Sequence, residues 1–169
     1  MPIRTDTLRA AGQRTKTFGP RTLTEARTQG AKTAFLCHSH RDADLAKGLV
    51  HFLAKAGWSV YIDWEDATMP DKPNRETATK IQQKIKELHY FLFLAMANSM
   101  ASRWCPWEIG YADGQKPTGQ LLIVPTTDGS STHGNEYLQL YRRVDLGGQG
   151  SVEVWQPGQI YASVPIWSL

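Results

Sequence analysis

The sequence has few cysteines and no long apolar run, and both absences exclude classes of protein. Only two of its 169 residues are cysteines, too few for the disulfide framework of a small secreted domain. The longest apolar stretches, 90–96 and 121–124, have the length of strands and fall far short of the roughly 18 residues that a membrane helix needs. No apolar segment of the kind found in a secretory signal peptide follows the first residues. We therefore expect a cytoplasmic protein without a membrane span.

The sequence also lacks the motifs of the best-known α/β enzymes. It contains no G-x-G-x-x-G, no G-x-x-x-x-G-K-[ST] and no G-x-S-x-G, so a dinucleotide fingerprint, a phosphate loop and a nucleophile elbow are all absent. His38 and His40 alternate as metal ligands can, but no third ligand follows at a suitable spacing. We interpret them as loop histidines and predict no metal site.

Positive charge is concentrated near the start of the chain. Residues 1–32 hold seven basic and two acidic groups, which leaves 12 basic and 14 acidic groups in the remainder. A nucleic-acid groove needs basic side chains clustered on the folded domain, so nucleic acid is not predicted as a partner. Because termini are often poorly ordered, we predict a basic, flexible extension over 1–31 rather than a transit peptide, and a single folded domain over 32–169.

Apolar runs alternate with amphipathic stretches from residue 33 onward. This pattern predicts an α/β domain with a mostly parallel, doubly wound sheet, in which ligands bind beyond the carboxyl ends of the strands. The run 90–96 has no polar alternation, which is typical of a central strand buried on both faces. A long surface loop is predicted over 64–74, from two prolines and several acid or amide groups. The predicted strands are 33–37, 58–62, 90–96 and 121–124, with edge strands at 141–144 and 152–155.

One short segment combines a carboxylate with aromatic rings. Trp104 and Glu108 are four residues apart and share a face if a helix begins at Ser102. If Pro106 is the first helical residue instead, Trp104 lies before the helix. Taken alone, Glu108 is better interpreted as a solvated helix carboxylate than as a catalytic residue.

Three segments in this order resemble a Toll/interleukin-1 receptor (TIR) domain of the bacterial kind. They are Phe35-Leu-Cys-His-Ser-His-Arg-Asp42, Val60-Tyr-Ile-Asp-Trp64 and the W-x-x-x-E element that ends at Glu108. The resemblance covers about residues 32–125 and implies a flavodoxin-like fold. The segments 136–141 and 152–155 are similar to those of stand-alone TIR proteins of antiphage defence (Thoeris-like) systems.

The resemblance implies an enzyme that cleaves the nicotinamide–ribose bond of NAD⁺ and releases ADP-ribose or a cyclic isomer as a signal. Glu108 matches the catalytic glutamate of the family. NAD⁺ is then the substrate, and no cofactor is expected. Self-association through TIR surfaces and a separate sensor or effector protein are the implied partners.

The resemblance also assigns substrate-binding residues. Trp104 and Trp64 are implied as flat walls for nicotinamide or adenine, although packing explains Trp64 equally well and is a competing explanation for Trp104. His38, Ser39 and Arg41 lie where the family's first loop approaches the nucleotide, and Arg41 would pair with pyrophosphate unless it forms a surface ion pair. Two alternatives stay open, a non-enzymatic TIR adaptor and an enzyme similar to nucleoside deoxyribosyltransferases.

Overall fold

The computed structural model describes residues 1–14, 23–66 and 74–169 of the chain. The strands are β1 Ile3–Arg4, β2 Lys32–Cys37, β3 Trp58–Tyr61, β4 Tyr90–Ala95, β5 Leu121–Thr127, β6 Thr132–His133, β7 Arg142–Leu146, β8 Val152–Trp155 and β9 Val164–Pro165. The α-helices are α1 Thr5–Arg14, α2 Leu23–Thr28, α3 Ala43–Lys55, α4 Arg75–Glu87, α5 Ala97–Met100 and α6 Cys105–Gln115.

The strands form one mostly parallel sheet. In the described residues its order is β3-β2-β4-β5-β7-β8-β9, with β1 and β6 paired to β5. The strands β3, β2, β4, β5 and β7 run parallel, while β8 and β9 complete the far end with antiparallel pairing. This arrangement confirms the predicted α/β fold with a doubly wound, flavodoxin-like sheet. Because the chain leaves β2 toward β3 and later returns to place β4 on its other side, the strand order reverses between β2 and β4.

Two apolar layers cover the two faces of the sheet, and β4 contributes to both. Its successive side chains point to opposite faces, so Leu92 and Leu94 join the layer beneath α3, while Phe91 and Phe93 join the layer beneath α4 and α6. All four side chains are buried, which explains why this strand shows no polar alternation.

Helix α4 begins directly after residue 74, where the predicted loop ends. Asn74 accepts a hydrogen bond from the Thr77 backbone N–H at 3.0 Å, and the Thr77 hydroxyl accepts one from the Asn74 N–H at 3.1 Å. This reciprocal capping satisfies two of the donors that a helix start leaves unpaired, with Asn74 as the N-cap. It also ends the long loop, of which residues 67–73 lie outside the described part of the chain.

The N-terminal segment corrects the predicted boundary at residue 32. Ile3 in β1 pairs with Thr126 in β5, and the Leu8 side chain of α1 is fully buried. Helix α1 packs along α3, where Gly12 and Gly48 allow the two backbones to approach closely. Residues 3–14 are therefore part of the folded domain and not an extension. Residues 15–22 of the predicted extension lie outside the described ranges.

The C-terminal third forms more sheet than its sequence pattern indicates. The predicted edge strands become β7 and β8, which lie inside the sheet because β9 forms its last strand. β5 continues to Thr127, beyond the predicted strand 121–124, and the chain then turns back as β6. Across the described ranges, no helix is long and apolar enough to cross a membrane.

Candidate active site

The carboxyl ends of β2, β3 and β4 meet at the point where the strand order reverses. His38 follows β2, Asp63 follows β3, and Asn98 stands at the start of α5 after β4. The Asn98 side-chain amide donates to the Asp42 carboxylate at 2.7 Å, which links the segments after β2 and β4. Such an edge is where doubly wound sheets bind their ligands.

Helix α6 carries Glu108 to this edge. The Ser102 hydroxyl accepts hydrogen bonds from the backbone N–H groups of Trp104 at 3.1 Å and Cys105 at 3.3 Å, and so caps the start of the helix. Pro106 occupies the first turn, where its missing N–H is not needed. The Glu108 N–H donates to the Trp104 carbonyl at 2.9 Å, which places Glu108 at the end of that first turn.

Glu108 is a buried carboxyl group with a raised pKa. Its side chain belongs to a residue that is only 6% exposed. The pKa of Glu108 is raised to about 8, chiefly by burial; Cys105 and Asp63 act in the same direction, while Cys37 and His40 act in the opposite direction. The positive end of the α6 dipole favours the carboxylate form, but burial prevails. The free protein therefore holds Glu108 largely protonated at neutral pH.

His38 is a neutral, buried histidine with an unused acceptor. Its Nδ1 lies 2.9 Å from the Leu36 carbonyl oxygen, and burial lowers the pKa of His38. Nδ1–H is thus the donor and Nε2 the acceptor of the neutral ring. Nε2 is buried and has no hydrogen-bond partner among the described residues. The ring packs edge-on against Trp64, with ring centres 4.2 Å apart.

His40 and Asp63 form an ion pair beside this cluster. The His40 Nε2 atom lies 3.1 Å from Asp63 Oδ2. The hydrogen bond to Asp63 raises the pKa of His40. Burial raises the pKa of Asp63, but the hydrogen bond and the charge of His40 bring it below its usual value. The pair links the ends of β2 and β3 next to Glu108.

The predicted site residues divide into two groups. His38 and Trp64 contact each other, and the His40–Asp63 pair connects them electrostatically to Glu108. Ser39 and Arg41 lie in the same loop, where the Ser39 hydroxyl accepts the Arg41 N–H at 3.4 Å. Arg41 is exposed, whereas Ser39 is half-buried.

Trp104 lies just before α6, as the second of the two predicted helix starts requires, although the helix begins at Cys105 rather than Pro106. Its half-buried ring packs edge-on against Trp107 at 5.4 Å. Trp107 in turn stacks on Tyr111 with ring centres 6.0 Å apart. Trp104 thus begins an aromatic row along α6, and its predicted contact with substrate stays a prediction.

Four residues that influence the pKa of Glu108 were not included in the site by sequence reasoning: Cys37, Cys105, His40 and Asp63. Cys37 is the last residue of β2, and Asp63 comes two residues after β3 ends. The rule that ligands bind beyond the carboxyl ends of strands points to both positions. Their contact with α6 is not visible in the sequence, because it depends on how the helix packs across the sheet.

A family model described as TIR domain matches residues 34–154. The chain belongs to the TIR domain family. The match begins within β2 and ends within β8, and it includes every residue of the candidate site described above.

Two relatives of this TIR domain carry descriptive names. One, from Bacillus cereus (strain MSX-D12), is named "Probable 3' cyclic ADP-D-ribose synthase ThsB'" and is 36% identical over 116 residues, which are 67% of this chain and 60% of the relative. Another, from Cytobacillus dafuensis, is named "Putative cyclic ADP-D-ribose synthase TIR2" and is 25% identical over 81 residues, which are 46% of this chain and 21% of the relative. The TIR domain thus spans less than two thirds of either relative.

Proposed function

We propose that this TIR domain cleaves the nicotinamide–ribose bond of NAD⁺ and converts the remainder to a cyclic ADP-ribose. The observation that carries the proposal is the buried Glu108 carboxyl group at the start of α6, beside the ligand-binding edge of the sheet. The names of the two relatives, both cyclic ADP-D-ribose synthases, support the same reaction.

Glu108 suits the charge that develops in this reaction. Nicotinamide leaves from a pyridinium and departs as a neutral ring, so no strong general acid is needed. The ribose acquires oxocarbenium character, which a nearby carboxylate stabilises. The cationic pyridinium also favours the ionised form of Glu108 when it binds, which offsets the effect of burial on that carboxyl group.

The residues around Glu108 have chemistry that fits the substrate. Trp64 offers an aromatic face for a base, and the unpaired His38 Nε2 accepts a hydrogen bond from a ribose hydroxyl or from the carboxamide N–H₂ of nicotinamide. Ser39 and Arg41 line the outer part of the same loop, where Arg41 reaches the pyrophosphate. We assign Trp104 to the wall of the site nearest the start of α6. No cofactor takes part, because NAD⁺ supplies the reacting bond.

We also infer how the activity is used. One small domain encloses only part of a dinucleotide, so self-association through TIR surfaces completes the site. A cyclic ADP-ribose is a signal, which requires a separate effector protein that reads it. We place this signalling in the cytoplasm, in antiphage defence of the type suggested by the relative named ThsB'.

Incubation of the purified protein with NAD⁺ tests the proposed reaction. We expect mass spectrometry to find free nicotinamide and a product with the mass of a cyclic ADP-ribose. Specific activity should rise across a roughly hundredfold concentration series, because mass action favours the associated form. A deoxynucleoside serves as the comparison substrate. Release of free base from it, with NAD⁺ left intact, would reassign the chain to deoxyribosyl transfer, and no turnover of either would indicate an adaptor.

The pH dependence of cleavage follows from the protonation of Glu108. The reaction needs the carboxylate, while the pKa of Glu108 in the free protein is about 8. We therefore expect kcat/KM to rise with pH through about 8 and then level off. Initial rates measured at low NAD⁺ concentration from about pH 6 to 9.5 give this profile. A profile that is flat across this range would show that Glu108 ionisation does not limit the reaction.

A further inference from the structure

The turn that carries Trp64 is closed by hydrogen bonds of its own. It is a single 3₁₀ turn, Asp63–Glu65, which follows β3. At its start, the Asp63 carboxylate accepts the Trp64 backbone N–H at 2.9 Å through Oδ1 and lies 3.1 Å from the His40 ring through Oδ2. At its end, the Asp66 backbone N–H donates to the Asp63 carbonyl oxygen at 3.1 Å. These bonds close the turn, but they do not connect its far end to the body of the domain.

Tyr61 makes that connection. It is the last residue of β3, and its hydroxyl donates to Asp66 Oδ2 at 2.7 Å. Its ring packs on Phe35 of β2 with ring centres 5.7 Å apart, and the Lys84 ammonium group of α4 lies 5.4 Å from the ring centre. Burial and the hydrogen bond to Asp66 raise the pKa of Tyr61, so the phenol keeps its proton and remains the donor. A side chain fixed between the sheet and α4 therefore anchors the far end of the turn.

The turn needs this anchor because it has little stability of its own. A 3₁₀ helix has poorer hydrogen-bond geometry than an α-helix, and Ile62, which precedes this one, makes no capping hydrogen bond with its side chain. Trp64 is the middle residue of the turn, and its half-buried ring lies edge-on to His38 with ring centres 4.2 Å apart. The orientation of the Trp64 ring therefore follows the orientation of the turn.

We propose that Tyr61 is a positioning residue, whose hydroxyl binds Asp66 and so holds the turn in the orientation in which the Trp64 ring stacks on a base of NAD⁺. The contact with substrate rests on the proposed function, whereas the anchoring of the turn does not depend on any reaction. A ring that is already oriented binds its ligand without the penalty of selecting one conformer among several. Loss of the anchor should therefore weaken NAD⁺ binding and leave the chemical step at Glu108 unchanged.

The His40–Asp63 pair does not make this anchor redundant. It acts at the start of the turn, and the His40 side chain is 69% exposed. Exposed ion pairs are screened by water and salt and contribute little to stability. The Tyr61–Asp66 hydrogen bond is partly buried and acts at the opposite end. The two contacts restrain different ends of the turn, so removal of the Tyr61 hydroxyl releases the far one.

The first measurement is the environment of Trp64 in the protein without NAD⁺. Tyr61→Phe removes the hydroxyl and keeps the ring that packs on Phe35. Fluorine-19 NMR of protein labelled with 5-fluorotryptophan gives one signal for each of the six tryptophans, and the Trp64 signal is the one that is lost in Trp64→Phe. We expect Tyr61→Phe to move the Trp64 signal toward its position in the unfolded chain. The control Tyr90→Phe, which removes a hydroxyl at the start of β4, should leave the Trp64 signal unchanged.

Steady-state kinetics with NAD⁺ provide the second measurement. For Tyr61→Phe we expect KM to rise roughly threefold to tenfold, the effect of one hydrogen bond, with kcat within about twofold of the wild type. A merely structural defect would lower the fraction of active protein, and hence kcat, without changing KM. Asp66→Ala should raise KM to a similar extent, and the double variant little further, because both substitutions remove the same hydrogen bond. Asp66→Asn keeps an acceptor oxygen and should retain a KM near that of the wild type.

The two measurements separate the positioning role from the proposed function. An unchanged Trp64 signal in Tyr61→Phe overturns the positioning role, whatever happens to KM. A shifted signal with an unchanged KM also overturns it, because Trp64 would then be held by the turn without contacting the substrate. If the wild-type protein leaves NAD⁺ intact while the signal still shifts in Tyr61→Phe, the anchored turn is supported and the proposed function is rejected.

Discussion

Replacement of Glu108 by glutamine is expected to abolish nicotinamide release from NAD⁺ in a protein that remains folded. Glutamine keeps the size of the side chain and removes the charge that stabilises the oxocarbenium-like transition state. Loss of one electrostatic stabiliser costs about 3–4 kcal/mol, which lowers kcat by roughly 10² to 10³. The measurement is the rate of nicotinamide release at about pH 8.5, where the wild-type carboxylate is largely ionised.

The same substitution is also expected to change how the stability of the protein depends on pH, because Glu108 is buried. A carboxyl group whose pKa is about 8 in the folded protein and 4.5 in the unfolded chain binds its proton more tightly when folded. Its contribution to stability is therefore present below pH 4.5 and is lost as the pH rises toward 8. Glutamine has no acidic proton to lose, so the Glu108→Gln variant does not lose this stability at high pH. Its melting temperature should therefore exceed that of the wild type above about pH 8.

Glu136→Gln is the matched control, because Glu136 is exposed and lies outside the site. It should leave both the rate and the melting temperature near those of the wild type. A Glu108→Gln variant that cleaves NAD⁺ at the wild-type rate would remove Glu108 from the catalytic role. An unchanged pH dependence of its melting temperature would contradict the buried, proton-binding environment.

The central sheet was predictable because its buried strands are continuous apolar runs in the sequence. β2, β4 and β5 are covered on both faces, so nearly every side chain in them is apolar, and the intervening helices carry apolar residues at the helical period. The predicted loop ends at residue 74, and Asn74 is the N-cap of α4. β6 and β9 were not predicted, because two-residue strands form by pairing with neighbours and have no periodicity of their own.

The candidate site was predictable only in part. Glu108 was found through a W-x-x-x-E element whose meaning comes from the family resemblance, since the sequence by itself allows a solvated carboxylate. Its burial at 6% exposure depends on α6 packing over the end of β2. For the same reason the influence of Cys37 on the pKa of Glu108, across 71 positions in the numbering, is a property of the folded chain. Residue spacing cannot indicate it.

Helix α1 was not predicted, because small residues rather than large apolar ones form its contact with α3. α1 buries only Leu8 and Ala11, and its other side chains are mostly polar or charged. Gly12 and Gly48 bring the backbones so close that a Cβ atom on Gly12 would lie 2.4 Å from the Asp44 carbonyl oxygen. A sparse apolar pattern among arginines was interpreted as an extension, although the packing needs little more than two glycines and one leucine.

Gly48→Ala is therefore expected to destabilise the protein strongly. The added Cβ would lie 1.9 Å from the Leu8 carbonyl oxygen and 2.6 Å from the Leu8 carbonyl carbon, and both atoms belong to the backbone of α1. Because backbone cannot rotate away as a side chain can, α1 must shift and expose the fully buried Leu8. We expect the free energy of unfolding to fall by at least about 1–3 kcal/mol, the usual cost of overpacking, as measured by urea titration.

Gly110→Ala provides a matched comparison for this prediction. Gly110 also lies inside a helix, α6, but a Cβ atom there meets no other atom within 4 Å. Alanine forms helix more readily than glycine, so this variant should gain about 0.5–1 kcal/mol of stability. The two identical substitutions are thus expected to change stability in opposite directions. If Gly48→Ala were as stable as Gly110→Ala, the close packing of α1 on α3 would be wrong, and residues 3–14 would again be best explained as an extension outside the folded domain.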